Sequence, residues 1–339
     1  MAPSKHDPGP AVARSRADAT AIGADQPLST RGGGEVRFGT ASWTDPTLTK
    51  GGVFYPPGVD TPEERLRYYA SRFSMVEVDA TYYALPNRRM AEHWRERTPD
   101  QFTFDVKAHA LMTGQPSEVK RLPPELRKAL PRELAERQRI YSKDLPPELA
   151  TAVWDYFLDA LQPLHSSGKL GSVLLQYPRW FVPGRQSRAE LLAARERLGD
   201  VGFAVELRNA LWFSERNAEH TLQFFEENDI PFVMVDEPQG YRSSVPPIVA
   251  VTSPRLAIVR FHGRRADTWE KLGVSVAERF RYLYDKGELA EWVPRIGEAA
   301  SKARETHVIM NNCYSNYGTT NAAELAELFE QSRYASAAE

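Results

Sequence analysis

Eight short apolar segments, each followed by a further stretch of chain long enough to cross over, predict an α/β protein folded as a (β/α)8 TIM barrel. Three observations carry that reading. The segments are rich in β-branched and aromatic residues and mostly lack polar alternation, as strands buried on both faces do. Helical periodicity fills most of the gaps, which requires parallel strands joined by crossovers. Eight such units close into a barrel.

The strands are expected at Val36 to Ala41, Met75 to Asp79, Phe102 to Val106, Ser172 to Gln176, Gly202 to Glu206, Pro231 to Val235, Leu256 to Phe261 and His307 to Met310. Helical patterns run over Pro62 to Arg72, Arg88 to Arg97, Pro147 to Leu164, Gln186 to Leu198, Ser214 to Asn228, Glu288 to Ala303 and Asn321 to Ser332. The clearest start is Thr61-Pro62-Glu63-Glu64: a Thr cap, a Pro in the first turn, then acids at the positive end of the dipole. After strand six, Glu237 to Pro254 carries Pro and Gly but little helical period, so that helix is expected to be reduced or missing. After strand three, residues 112–146 form a Pro-punctuated, highly charged insertion. An insertion at a strand's C-terminal end lies over the barrel mouth, which allows a lid; a solvated helical hairpin is the plainer reading.

The 339 residues are 42% hydrophobic and 26% charged, enough for one large core, and one barrel domain over 35–335 is expected. Residues 1–34 are rich in Ala, Pro, Ser, Gly and Asp, have no apolar run of the secretory kind, and read as a disordered leader ending at Gly32-Gly33-Gly34. No apolar run reaches the roughly 18 residues of a membrane span, so no membrane partner is expected. A net charge of −2 supplies no general field for nucleic acid, so any anion must be held by a local cluster. The single cysteine, Cys313, excludes a disulfide within the chain and fits a cytoplasmic protein.

In a barrel of this class the C-terminal ends of the strands line the working face. Here they carry Trp43, Glu77, Asp79, Tyr82, Lys107, His109, Gln176, Glu206, Arg208, Asp236, Arg260, His262, Asn311 and Asn312. Residues two apart on a strand share a face, so Glu77 pairs with Asp79, Glu206 with Arg208, and Arg260 with His262. Such groups are costly to bury unless paired, so their repetition at strand ends points either to a site or to an ion-pair plug. Arg260-Phe261-His262-Gly263-Arg264-Arg265 follows strand seven, where barrels commonly hold phosphate. Arginine forks match phosphate or carboxylate, and Gly263 permits close backbone approach, giving an expected anion-binding pocket. The competing expectation is that Arg260 pairs with Glu206 or Asp236 and that Arg264 and Arg265 are solvated. Trp43, Tyr82, Tyr83, Tyr177, Trp180 and Trp212 offer rings for stacking a sugar or base.

No His-Glu-x-x-His, Cys pair, Gly-x-Ser-x-Gly or phosphate-binding loop occurs. Glu77, Glu206, Asp236 and His262 are the residues that would have to converge on a divalent cation, but their scatter leaves metal and cofactor content undefined. Lys107 would need desolvation to act as an amine nucleophile, and nearby carboxylates would keep it charged. Cys313 reads as a small filler of a polar site.

The ordered set Gly39-Thr40-Ala41-Ser42-Trp43, Val53-Phe54-Tyr55-Pro56, Val76-Glu77-Val78-Asp79-Ala80-Thr81-Tyr82-Tyr83-Ala84-Leu85-Pro86, Phe104-Asp105-Val106-Lys107-Ala108, Leu174-Leu175-Gln176-Tyr177-Pro178, Val205-Glu206-Leu207-Arg208-Asn209 and Val259-Arg260-Phe261-His262-Gly263-Arg264 resembles the YecE-like family, domain of unknown function 72. The resemblance covers about Val36 to Phe329 and implies a TIM barrel of uncharacterised activity. That family is similar in fold to xylose isomerase-like and endonuclease IV-like barrels, which bind metals. This chain lacks the His-rich strand ends of those sites, so metal-dependent DNA cleavage does not carry over. The family usually has Asn-Asn-Asp after strand eight, whereas this chain has Asn311-Asn312-Cys313.

The first functional expectation is an enzyme acting on a small compound bearing phosphate or carboxylate. Arg260, His262, Gly263 and Arg264 would hold the anion, with Glu206 and Glu77 as general acid or base and Lys107 or Arg208 tuning them. Trp43, Asp79, Tyr82, Gln176, Asp236, Asn311 and Asn312 complete the expected lining, and His262 joins the catalytic candidates. A nucleic-acid binding or repair protein stands second, opposed by the near-neutral charge. A glycoside-type hydrolase and a non-catalytic ligand binder complete the alternatives. The sequence leaves substrate and oligomeric state open.

Overall fold

A computed structural model describes residues 5–20, 24–30, 32–50 and 52–335, with the side chains of 334 and 335 outside the description. Residues 1–4, 21–23 and 31 of the expected leader therefore lie outside the described residues. Two compact units are present, one of residues 1–77 with 210–339, the other of 78–209.

The fold class is the expected α/β one, a mostly parallel sheet of eight principal strands in the TIM-barrel-like series. The strands are β1 (Glu35–Ala41), β2 (Met75–Val78), β3 (Thr103–Lys107), β4 (Leu170–Gln176), β5 (Phe203–Glu206), β6 (Val233–Asp236), β7 (Leu256–Phe261) and β8 (Glu305–Met310). In the first unit β1 runs parallel to β2 and to β8, and β7 parallel to β8 and β6. In the second, β4 lies parallel to β3 on one side and β5 on the other. Every residue of β2, β3, β5, β6 and β7 is buried, which is why these segments lack polar alternation.

The principal helices are α1 (Pro10–Asp18), α2 (Pro62–Ala70), α3 (Arg88–Glu96), α4 (Pro147–Ser166), α5 (Arg185–Leu198), α6 (Ala218–Glu227), α7 (Val293–Lys302) and α8 (Tyr317–Ala335). The predicted start of α2 is realised in full. Thr61 accepts from the Glu64 N–H, and the Glu64 carboxylate accepts from the Thr61 N–H, closing a capping box. Between β6 and β7 the described residues 237–255 contain no helix.

Two segments depart from their sequence reading. The leader expected to be disordered carries α1. Ala13 is fully buried with Leu283 and Tyr317, and Arg16 grips Glu324 of α8 through Nε at 2.8 Å and Nη2 at 2.6 Å. That bidentate pair supplies an anchor that composition alone does not reveal. The insertion over 112–146 is built from two short helices, Pro124–Lys128 and Arg132–Ala135, and a two-residue ribbon pairing Ser117–Glu118 with Arg139–Ile140. Leu122, Leu126, Leu130, Leu134 and Ile140 are buried beneath it, while its charges pair along the surface, as Arg132 does with Glu136.

Candidate functional site

Each unit gathers its own set of the predicted strand-end residues. In the first, Arg260 on β7 donates to Glu77 on β2 at 2.7 Å, and both side chains are 0% exposed. The competing expectation of pairing with Asp236 does not hold, because Asp236 is already taken. Its carboxylate receives Arg264 Nε at 3.0 Å and Nη2 at 2.8 Å, the Tyr284 hydroxyl at 2.7 Å and the Trp292 indole N–H at 2.7 Å. Arg264 also reaches Glu291 at 2.8 Å. The hydrogen bonds that Arg264 donates to Asp236 hold its guanidinium pKa well above its ordinary value.

Arg264, expected to grip an anion, is thus engaged by three carboxylates, Asp236, Glu291 and, at 3.7 Å, Glu288. Arg265, expected to be solvated, pairs with Asp267 and Glu278. Gly263, read as a point of ligand approach, packs closely against Tyr282. Its φ is 82°, its N–H donates to Tyr284 at 2.8 Å, and a Cβ there would lie 2.7 Å from the Cβ of Tyr282. Only glycine adopts that conformation at no cost in that space.

His262 is buried between Trp269 and Phe280 and shares a 2.8 Å hydrogen bond with Asn311. Asn312 is fully buried and donates to the Tyr282 carbonyl and to Asn321. Cys313 packs its thiol against the carbonyls of Ala41 and Met310. Trp43 is buried, and its carbonyl accepts from Tyr55.

The second unit holds a more open cluster. Lys107, at the end of β3, donates to Asp79 at 2.9 Å, and its ammonium lies 4.9 Å from the centre of the Tyr82 ring. The Tyr82 hydroxyl donates to Gln115 at 2.9 Å, Gln115 donates to the Gln176 carbonyl at 3.0 Å, and the Gln176 side chain donates to Glu206 at 2.7 Å. Arg208 closes the run on the same Glu206 oxygen at 3.1 Å. One chain of polar groups therefore links Lys107, Asp79, Tyr82, Gln176, Glu206 and Arg208, six of the predicted residues. Burial, reinforced by Tyr83 and Asp79, pushes the Tyr82 phenol up to about 12, so it remains a donor at neutral pH.

The i, i+2 spacing held for Glu206 and Arg208. It failed for Glu77 and Asp79, because β2 ends at Val78 and Asp79 adopts a helical conformation that starts a 3-10 turn over Ala80–Tyr82. Of the predicted rings, Trp212 and Tyr177 are fully buried in packing, whereas Tyr83 and Trp180 are 43% and 55% exposed. Gln115 was missed by the sequence reading. The available signal was Gly114, whose φ of 70° ends the 3-10 turn at Ala110–Thr113 and redirects the chain.

Glu77, Glu206 and Asp236, three of the four residues considered for a cation, have guanidinium partners. Among the described residues no group of three or more His, Cys, Asp or Glu side chains is placed to hold a metal ion. Among them, too, no helix is long and apolar enough to cross a membrane.

The chain is 32% identical over 298 residues to UPF0759 protein YunF of Bacillus subtilis, covering 87% of this chain and 95% of that one. It is 28% identical over 187 residues to UPF0759 protein YecE of Escherichia coli K12, covering 55% and 53%. A solved DUF72 family structure from Enterococcus faecalis V583 matches with TM-score 0.69 at 26% identity, covering 87% and 95%. Another from Thermotoga maritima MSB8 matches with TM-score 0.68 at 28% identity, covering 87% and 99%. Residues 37–339 match the family described as "Protein of unknown function DUF72", and the chain belongs to that family.

Proposed function

We propose that the protein is an enzyme handling a small compound that bears a carboxylate or phosphate, and that its working groups are those around Lys107 and Glu206. Lys107 carries the reading. It is 9% exposed, is held by one carboxylate and one ring, and has two further N–H directions with no described protein partner. A buried ammonium demands acceptors, and charge-assisted hydrogen bonds to a ligand oxyanion answer that demand. Glu206, fully buried and held on one oxygen by Gln176 and Arg208, is positioned to give or take a proton as general acid or base. Arg260, on β7, and Arg264, just after it, take no direct part in this reading, since both are matched by carboxylates.

The test is thermal-shift and calorimetric titration of the full chain against small carboxylates and phosphate esters. Lys107→Met should weaken any hit at least about tenfold, the loss of one charged hydrogen bond, with little change in melting temperature. Glu206→Gln should retain binding and abolish turnover. Equal affinity in Lys107→Met, or turnover unchanged in Glu206→Gln, rules out the role given to that residue.

A further inference from the structure

The second unit contains a cavity of about 160 Å³ that the polar cluster does not use. Gln176 and Tyr177 are neighbours whose side chains go separate ways. Gln176 bonds Glu206, whereas Tyr177 contributes to the cavity, with Leu111, Met112, Val153 and Trp154 among its apolar walls.

Of the four polar side chains lining this cavity, Ser142, Tyr177, Glu190 and Arg197, the last three show no hydrogen-bonding or ionic side-chain partner among the described residues. The Tyr177 side chain is 0% exposed and its hydroxyl has no hydrogen bond. Leaving a buried hydroxyl unpaired costs about 1–3 kcal/mol, so its persistence calls for an explanation. Glu190, on α5 at the rim and open to solvent on its outer side, forms no ion pair among the described residues, and desolvation raises its pKa above its ordinary value. The same carboxylate adds to the burial that keeps the Tyr177 phenol protonated. Arg197, two turns further along α5, rests its guanidinium 5.5 Å from the Trp154 ring centre and has no carboxylate partner among the described residues.

With the Arg197 guanidinium held over the Trp154 ring and Glu190 shifted by desolvation alone, a carboxylate beside a phenol over apolar walls is the complement of an ammonium group on a short hydrocarbon. Phenol and carboxylate oxygens can both accept from the ammonium, while the walls take the hydrocarbon. We propose that this cavity is a binding site for a small primary amine with an apolar body, with Glu190 as the counter-ion and Tyr177 as the second acceptor. A dry cavity of about 150 Å³ is known to admit benzene, so a chain of about four carbons fits. The site is independent of the chemistry assigned to Lys107 and Glu206. Binding shifts the Glu190 carboxyl toward its ionised form and so weakens as pH falls through its raised pKa.

The experiment is calorimetric titration of the full chain with n-butylammonium chloride, with n-butanol and sodium n-butyrate in parallel. Saturable binding of butylammonium is expected, at least about tenfold tighter than butanol, the loss expected when a charged hydrogen bond is removed. Glu190→Gln should weaken it about tenfold and Tyr177→Phe by a smaller factor, while Glu196→Gln, on α5 but outside the cavity, leaves it unchanged. Melting curves identify any variant that fails to fold, and the remaining conservative variant then decides. No saturation by 100 mM butylammonium (about 1.4 kcal/mol by the affinity relation), equal binding of butanol, or unchanged affinity in Glu190→Gln overturns the proposal.

Discussion

The Arg260 guanidinium reaches the Glu77 carboxylate at 2.7 Å with neither side chain exposed to solvent. Two charges removed from water largely cancel in their net effect, but removing one deprives the other of this buried counter-charge. Glu77→Leu and Arg260→Met should each lower unfolding free energy by about 3–5 kcal/mol. The double variant Glu77→Leu/Arg260→Met should recover a large part of that loss. Urea denaturation of the four proteins measures the coupling. Additive losses would mean that the two side chains act separately, contrary to the geometry.

At the turn after β7, Gly263→Ala must place a Cβ 2.7 Å from Tyr282 while keeping φ at 82°. Strain at positive φ and overpacking each cost about 1–3 kcal/mol. A loss of about 2–4 kcal/mol is expected, read from the urea midpoint. If this glycine served ligand approach instead, the variant would fold normally and lose only binding.

The strands and helices were legible because burial on both faces leaves an apolar signature within a few residues. Glu206 and Arg208 were legible for the same local reason, a two-residue period within and just beyond β5. Glu77 and Asp79 have that spacing too, yet the chain leaves its strand at Val78, and no local pattern reports where a strand stops. Partners distant along the chain were not legible at all. Arg260 had several acids available in the sequence, and one that it binds, Glu77, lies 183 residues away. The helix α1 was missed because its hold on α8 rests on Ala13 and one ion pair, Arg16 with Glu324, rather than on an apolar stripe. Gln115 was missed inside an insertion whose dominant signal is surface charge.

Acid should expose a different buried group. His109 is fully buried, shares a hydrogen bond with Ser117 at 3.2 Å, and has its pKa lowered to about 4 by desolvation. Above about pH 6.5, the ordinary histidine value, it is neutral folded or unfolded and contributes no pH dependence. Between 6.5 and about 4 the unfolded chain takes up a proton that the folded one refuses, so stability falls with falling pH. The loss totals about 3 kcal/mol at about 1.4 kcal/mol per pH unit. Below about 4 both states are protonated and this contribution levels off. His109→Gln should flatten the profile between pH 6.5 and 4.5, a range that mostly precedes carboxylate titration. Urea unfolding at pH 7, 5.5 and 4.5 tests this, and an unaltered slope would assign the acid sensitivity to other groups.

Gln115 joins the two halves of the second unit's cluster. Its amide donates to the Gln176 carbonyl and to Thr113, while its oxygen accepts from Tyr82, whose ring lies beneath the Lys107 ammonium. Gln115→Ala removes all three bonds. It leaves the Tyr82 hydroxyl and the Gln176 carbonyl to find water, at a net cost of about 0.5–1.5 kcal/mol per bond. A drop of about 2 kcal/mol in unfolding free energy is expected. Gln115→Glu keeps the acceptor for Tyr82 and loses both donors, so its stability should fall between that of the native protein and Gln115→Ala. If Lys107 binds an oxyanion, both variants should also weaken that ligand, because the ring supporting the ammonium loses its tether; Gln115→Ala should do so more strongly. The order native, Gln115→Glu, Gln115→Ala should therefore appear in urea midpoints and in ligand affinity alike. The same ranking in stability with no change in affinity would separate the Gln115 tether from the site and limit the working groups to Lys107, Asp79, Glu206 and Arg208.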